Sequence, residues 1–289
     1  MNSTRSLARF PVCKPVSAMT TIFTTTLRQL RKTLQISQLD LSLRLNISQR
    51  HVSFVESGRS KPSRELLVAW LRELQTPLAI SNEVMLQAGY APTYETTPLD
   101  DPSLAQINFA LEQLLKAHEP TPTFVLDAQW NLLRLNQGGQ WLALTLLPWA
   151  KESMGRSPIN MLDLLVHPDG LTNSITNLAE MGPPLLAHLR HEASIQETLI
   201  SKVETFAELL AKKLGTKISH STARNTAPVL TTHYQTEYGE LAFFSMFTTF
   251  GTPQDITLAS LRVEHLFAAN EATQAVLMKY AGPKIEPDK

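Results

Sequence analysis

The chain has 289 residues, 43% hydrophobic and 18% charged, the balance of a soluble globular protein with room for two modest domains. No apolar run approaches the roughly 20 residues needed to span a bilayer, and the lone Cys13 can form no internal disulfide, so a membrane protein and a disulfide scaffold are excluded and a cytoplasmic location is expected. The formal net charge is zero but unevenly spread: Leu27 to Arg64 carries eight basic residues against two acidic ones (+6), and the chain from Glu65 carries 15 against 24 (−9). A basic module joined to an acidic body suits a protein whose one end meets phosphate.

Residues 1–23 hold three basic residues, no acid and no apolar run long enough for a signal-peptide core, and read as a flexible extension, with Met19 an alternative start. Leu27, Leu30 and Leu34 then mark one face of a helix over 25–34. Ser37 is a suitable N-cap for a second helix, with Asp40 placed to bond back to it. Leu39, Leu41, Leu43 and Leu45 supply its apolar face, and Asn46, tolerant of left-handed dihedrals, ends it. Ser48 caps a third helix at once; Val52 and Val55 turn inward and leave Gln49, Arg50, His51 and Ser53 on the outer side, until Gly58 closes the unit. A basic loop, GRSKPS, leads to a fourth helix capped by Ser63 and running to Leu74. Ser81 or Asn82 starts a fifth, which Gly89 ends. Five helices in this span close a single core, giving an all-α domain over 24–90.

The proline-rich stretch 91–102 reads as a linker. From 103 to 281 the pattern is mixed. A helix carrying Leu104, Ile107, Leu111, Leu114 and Leu115 precedes two apolar runs either side of Asp127-Ala128-Gln129, a strand pair followed by a helix over 140–147. HPDG at 167–170 turns into a long helix expected to be interrupted at Gly182-Pro183-Pro184, and another helix follows over 195–214. Strands over 229–235, 240–250 and 256–266 make an antiparallel meander, in which LAFFSMFTTF, apolar at odd and even positions alike, is expected to be central and covered on both faces. A helix over 272–280 and a tail, 282–289, complete an α+β chain.

The segment from Leu27 to Pro77, with SQLDLS, ISQRHVSFVESGR and KPSRELL, resembles the Xre/Cro/C1-type helix-turn-helix family. The resemblance implies that the third helix enters the major groove of an operator. On the matching positions, Gln49 and Arg50 would contact base edges with Ser53 and Phe54 beside them, while Gln38, His51, Arg59 and Lys61 would lie at or near phosphates and Ser48 would belong to the same DNA-binding surface. The chemistry agrees: Arg matches guanine O6 and N7, Gln matches adenine N6 and N7, and a good bidentate pair contributes about 1 to 3 kcal/mol of discrimination. For Phe54 core packing is the competing reading. Glu56, a carboxylate in a basic module, is expected to pair with a nearby arginine rather than touch DNA.

The remainder resembles the MmyB-like regulators through MLQAGYAPTYETTPLDDP, HEPTPTFVLDAQWNLLRLN, HPDGLTNSITNLAE with LLAHLR, and GELAFFSMFTTFGTPQDITLASLRVEHLFAAN; MGPP after NLAE departs from the family pattern. The resemblance implies a PAS-like domain holding a small apolar ligand, fatty-acyl among the candidates. Phe124, Leu126, Trp141, Phe243 and Phe247 are the candidate wall residues, and core packing is the alternative for each. His167 and His233 stand without metal spacing, and no metal or other cofactor is expected. With no nucleophile elbow, phosphate loop or spaced catalytic set, an enzyme is not expected. The reading is a dimeric, ligand-modulated transcription regulator; the alternative is an antitoxin-like or adaptor protein whose C-terminal domain binds a protein partner.

Overall fold

In the computed structural model, which describes residues 16–152, 159–215 and 229–282, the chain forms two units. The first ends at Thr96 and takes in Gln254–Ala259; the second holds Thr97–Pro253 and the chain from Ser260.

The first unit is a bundle of five helices: α1 (Val16–Thr33), α2 (Gln38–Arg44), α3 (Gln49–Glu56), α4 (Arg64–Glu73) and α5 (Leu78–Gln87). Helices this short are marginal alone and persist through caps and a shared core. Ser37 and Asp40 form a reciprocal capping box, and Ser48 and Ser63 accept from the backbones of His51 and Leu66. Asn46 sits at φ 53° between α2 and α3, Gly58 at 73° between α3 and α4, and Gly89 at 78° just after α5, positions where left-handed backbone is tolerated, while Gln35 and Gln75 take φ 55° and 47° in the other two turns. Leu27, Leu41, Val52, Val55, Leu67, Trp70 and Met85 are fully buried together.

Three expectations change here. α1 already begins at Val16, inside the stretch read as an extension, while residues 1–15 lie outside the described residues. The apolar face of α2 is Leu41, with half-buried Leu45 one turn on; Leu39 and Leu43, on the opposite side, are 52% and 71% exposed. A seven-residue helix can turn only one stripe inward. Finally, α5 starts at Leu78 straight after Pro77, not at Ser81 or Asn82. Asn82 instead holds the following chain: its Oδ1 accepts from the backbones of Thr93 and Tyr94 and its Nδ2 donates to Tyr94 O.

The second unit contains α6 (Ala105–Ala117), β1 (Thr123–Leu126), β2 (Asn131–Leu135), α7 (Gln137–Leu146), β3 (Ile159–Asn160), α8 (Met161–Val166), α9 (Leu178–Ala193), α10 (Ile200–Leu214), β4 (Thr231–Thr236) and β5 (Gly239–Thr249). A short helix, α11 (Ile256–Ser260), links β5 to β6 (Arg262–Ala268), which belongs to this unit with α12 (Glu271–Val276) and a π-turn over Leu277–Ala281. The strands form one antiparallel sheet in the order β3-β2-β1-β6-β5-β4. The β1–β2 turn is held by Asp127, whose Oδ1 accepts from the backbones of Gln129 and Asn131. Asn136 caps α7 through Gly139 N and also accepts from Thr123 N, tying the helix start to β1. The chain must pass so close there that a Cβ on Gly138 would lie 2.2 Å from Pro120 O.

The sheet departs from the expected meander in two respects. β5 is second from the edge, and only Leu241, Ala242 and Phe243 are buried in it; Ser245 to Thr249 are exposed. The run 256–266 is not one strand, because Asp255 accepts from Leu258 N and starts α11 before β6 begins. α9 also differs, continuing through Pro183 and Pro184 without a break. Both prolines fall in its second turn, where the cost is two ladder hydrogen bonds, and the buried face of the helix supplies compensation. Gly182 belongs to that face: a Cβ there would meet Leu210 Cδ1 at 2.6 Å, so glycine sets the approach of α9 to α10. Met181, Leu186 and Leu189 pack with Val203, Phe206 and Leu210 in the resulting core.

Candidate functional site

The first surface is α3 and the loop after it. Ser48, Gln49 and Arg50 are exposed, and His51, Ser53 and Phe54 are half-buried on the side of α3 opposite the buried Val52 and Val55. Phe54 is outside the core cluster. The Arg50 guanidinium lies 5.1 Å from its ring centroid and that of Arg59 5.8 Å. An aromatic face holding two guanidiniums orients cations that would otherwise sample many rotamers. Lys61 is exposed with its Nζ 4.6 Å from the Tyr90 ring, and the Tyr90 hydroxyl in turn donates to Pro62 O. Ser48 Oγ accepts from His51 N at 3.2 Å, which leaves its hydroxyl hydrogen to donate outward.

Behind this surface lies an ion pair. Arg31 Nε and Nη2 meet Glu56 Oε1 and Oε2 at 2.7 and 2.8 Å, Arg31 Nη1 donates to Ile36 O, and Gln38 Nε2 donates to Glu56 Oε2 at 2.8 Å. The Glu56 side chain is wholly buried and that of Arg31 is 10% exposed. Burial raises the Glu56 carboxyl, but the hydrogen bonds from Arg31 and Gln38 and the charges of Arg31 and Arg28 outweigh it and hold the group below its ordinary value. Glu56 thus pairs with an arginine, as expected. Gln38 spends its amide nitrogen on this pair and fixes the start of α2 against the end of α3.

The second site is a cavity of about 380 Å³ in the second unit, between one face of the sheet and helices α7, α8 and α9. That volume falls in the range of small-molecule sites. Alternation along the strands explains its walls: Thr232 and Tyr234 on β4, Phe243, Ser245 and Phe247 on β5, and Glu264 and Leu266 on β6 share one face. Of the five residues expected to line a pocket, Phe124, Phe243 and Phe247 do so. Leu126 does not, being fully buried in the core beyond a register shift between Val125 and Leu126, and Trp141 packs against the Tyr238 ring at 5.4 Å instead. His167 stacks on Trp149 at 4.1 Å, and His233 Nδ1 pairs with Glu240 at 2.9 Å. Among the described residues, no group of three or more His, Cys, Asp or Glu is arranged to hold a metal ion.

A polar cluster flanks the apolar walls. Glu192 on α9 accepts from His188 Nε2 at 3.2 Å, from Trp130 Nε1 at 2.6 Å and from both terminal nitrogens of Arg262. Burial raises the Glu192 carboxyl, and the His188, Arg262 and Trp130 hydrogen bonds together with the Arg262 charge overcome this and hold it at about 2. The Glu192 bond, stronger here than burial, raises His188 in turn. Arg262 lies over the Trp130 ring at 4.3 Å. Glu264, two residues along β6, lines the cavity and accepts from Ser245 Oγ at 2.7 Å. None of these residues stood out in the sequence. The available signals were His188 and Glu192 at i, i+4 on one helix, and Arg262 and Glu264 alternating within an apolar strand.

The family model for the MmyB-like transcription regulator ligand binding domain matches residues 107–279, more than half of the chain. The chain belongs to the MmyB-like transcription regulators. A second family model, for a helix-turn-helix domain, matches residues 27–80, which span α2 and α3. No curated protein matches the chain. This MmyB-like regulator is therefore a DNA-binding transcription regulator with a small-molecule-binding domain, and both matched families are regulatory rather than enzymatic. Among its described residues no helix is long and apolar enough to cross a membrane.

Proposed function

We propose that this MmyB-like regulator binds an operator as a homodimer, reads it with α3, and is modulated by a small apolar, fatty-acyl-type ligand held in the cavity of its second unit. The observation that carries the ligand reading is the cavity itself, walled by Phe124, Phe243, Phe247, Leu266 and their neighbours with few polar groups. On the DNA side, Gln49 and Arg50 are the base readers, with Ser53 and the arginine-flanked Phe54 beside them. Ser48, His51, Arg59 and Lys61 position the helix on phosphates, and Gln38 both approaches the backbone and braces Glu56. Two copies related by a two-fold axis place their recognition helices about 34 Å apart, one helical turn of DNA. A ligand shifts the operator affinity only by as much as it prefers one arrangement of the dimer. Acting on DNA, the protein works in the cytoplasm.

Native mass spectrometry of the full chain tests the reading. We expect a dimer carrying an extractable apolar molecule, or one that takes up such a molecule from a lipid panel with a rise in Tm. An empty chain with no thermal shift across the panel would remove the ligand, and a stoichiometric protein partner in its place would favour the adaptor alternative.

A further inference from the structure

Two domains joined by a single linker exchange the chain once. Here the chain changes unit after Thr96, again after Pro253 and again after Ala259, so residues 254–259 of the β5–β6 connection belong with the helix-turn-helix unit. Within that unit a one-residue parallel bridge pairs Asp255 with Glu95, and Ile256 N donates to Glu95 O at 2.8 Å. The stretch so held is fastened upstream as well. Asn82 on α5 bonds the backbones of Thr93 and Tyr94, and Arg64 Nη2 donates to Thr93 Oγ1. Tyr90 donates to Pro62 O, and its ring carries the Lys61 ammonium at 4.6 Å. Residues 90–95 therefore run from Lys61 to the β5–β6 connection.

The cavity sets both ends of that connection. β5 places Phe247 in the cavity wall two residues before it ends at Thr249. β6 begins at Arg262, which lies over the wall residue Trp130 and is held by Glu192, and places Glu264 in the wall two residues later. Phe247 is the register partner of Glu264, and Thr249 that of Arg262. An occupant that shifts Phe247 or Glu264 thus displaces the strand ends that carry 254–259. A bridge closed by one backbone hydrogen bond can yield to this, since a net bond of that kind shifts an equilibrium by only about fivefold. That is the lower end of ordinary allosteric coupling. We propose that the Ile256–Glu95 bond is a latch, open in one ligand state and closed in the other, through which cavity occupancy reaches the phosphate contact of Lys61. This rests on the readings that the cavity holds a ligand and that Lys61 meets phosphate, and it names the element that links them. The ligand acts by preferring one latch state over the other.

The test uses the full chain, palmitate as the probe, and three variants. Ile256→Pro removes the donated N–H at the first residue of α11, where a helix tolerates proline, and the preceding Asp255 already lies in an extended bridge. Ile256→Ala keeps the N–H, and Asn82→Ala frees the same stretch from its other end. Native mass spectrometry reads palmitate binding, and affinity for selected DNA at several salt concentrations reads the response. In wild type and Ile256→Ala, palmitate shifts the affinity about fivefold or more and changes the salt slope by about 1. Ile256→Pro and Asn82→Ala bind palmitate as wild type does, and their affinity for DNA stays within about twofold with and without it. A full response in Ile256→Pro, an unchanged salt slope in wild type, or bound palmitate without effect on wild-type DNA binding overturns the latch and leaves the ligand reading intact. Failure of wild type to bind palmitate overturns both. Where Ile256→Pro does not fold, Asn82→Ala decides by the same criterion.

Discussion

Removing the Glu56 carboxylate is expected to undo the helix-turn-helix unit more than any single apolar truncation on its surface. Glu56→Ala strands the Arg31 guanidinium, 10% exposed, with Ile36 O as its remaining acceptor, and leaves the Gln38 amide without the 2.8 Å bond that ties α2 to α3. Breaking one side of a buried pair costs about 3 to 5 kcal/mol, a large part of the roughly 5 to 15 kcal/mol that holds a domain together. Hydrogen exchange in the full chain isolates the effect, since amides of α4 around Leu67 and Trp70 report opening of this core. Their protection should fall by about a hundredfold or more, and Glu56→Gln, which keeps the shape and one acceptor, should fall between. The pH dependence has a definite sign. Because the folded Glu56 pKa is depressed, its stabilisation is fully present above the unfolded carboxylate value near ~4.3 and is lost as pH falls through the folded value. Glu56→Ala should lose that acid-sensitive component. Protection in Glu56→Ala within about tenfold of wild type would refute the reasoning.

In the second unit, Glu192→Gln leaves Arg262 facing a neutral amide between two rings and should destabilise the domain by about 3 kcal/mol in urea unfolding. Wild type should hold the Glu192 contribution down to acid pH and lose it as pH approaches about 2, whereas the part contributed by His188, whose folded pKa is raised, is complete below its unfolded value and fades as pH rises through the folded one. Equal acid unfolding profiles in wild type and variant would contradict this. Gly182→Ala places a methyl 2.6 Å from Leu210 Cδ1 and should lower stability by roughly 1 to 3 kcal/mol; pairing it with Leu210→Ala should restore part of the loss, and additive losses in that double mutant would show that α9 and α10 are not in such close contact.

Where the chain signals itself locally, the sequence was a good guide. Ser37, Ser48 and Ser63 cap the helices they precede, and Asn46, Gly58 and Gly89 take positive φ, because caps and left-handed turns depend on one residue and its near neighbours. Features set by packing were harder to read. Leu39 and Leu43 carry the same apolar character as Leu41, and only the position of the other helices decides which of them is buried. Pro183-Pro184 signals a break by local rules, yet the helix face that includes Gly182 overrides it. The apolar run in β5 suggests double coverage because Phe243 and Phe247 are apolar on account of a cavity, and a cavity wall resembles a core wall in composition. The charged cluster around Glu192 was the least legible: His188, Glu192, Trp130 and Arg262 come from three distant segments, and no spacing along the chain encodes their meeting.

The most direct test of the account is operator binding by wild type, Arg50→Ala and Lys61→Ala, measured on selected and random DNA at several salt concentrations. Arg50→Ala should lose about 1 to 3 kcal/mol on selected DNA and relax preference at one base position, whereas Lys61→Ala should weaken selected and random DNA alike and reduce the salt slope by about 1. Unchanged sequence preference in Arg50→Ala would contradict the claim that α3 reads bases through this residue.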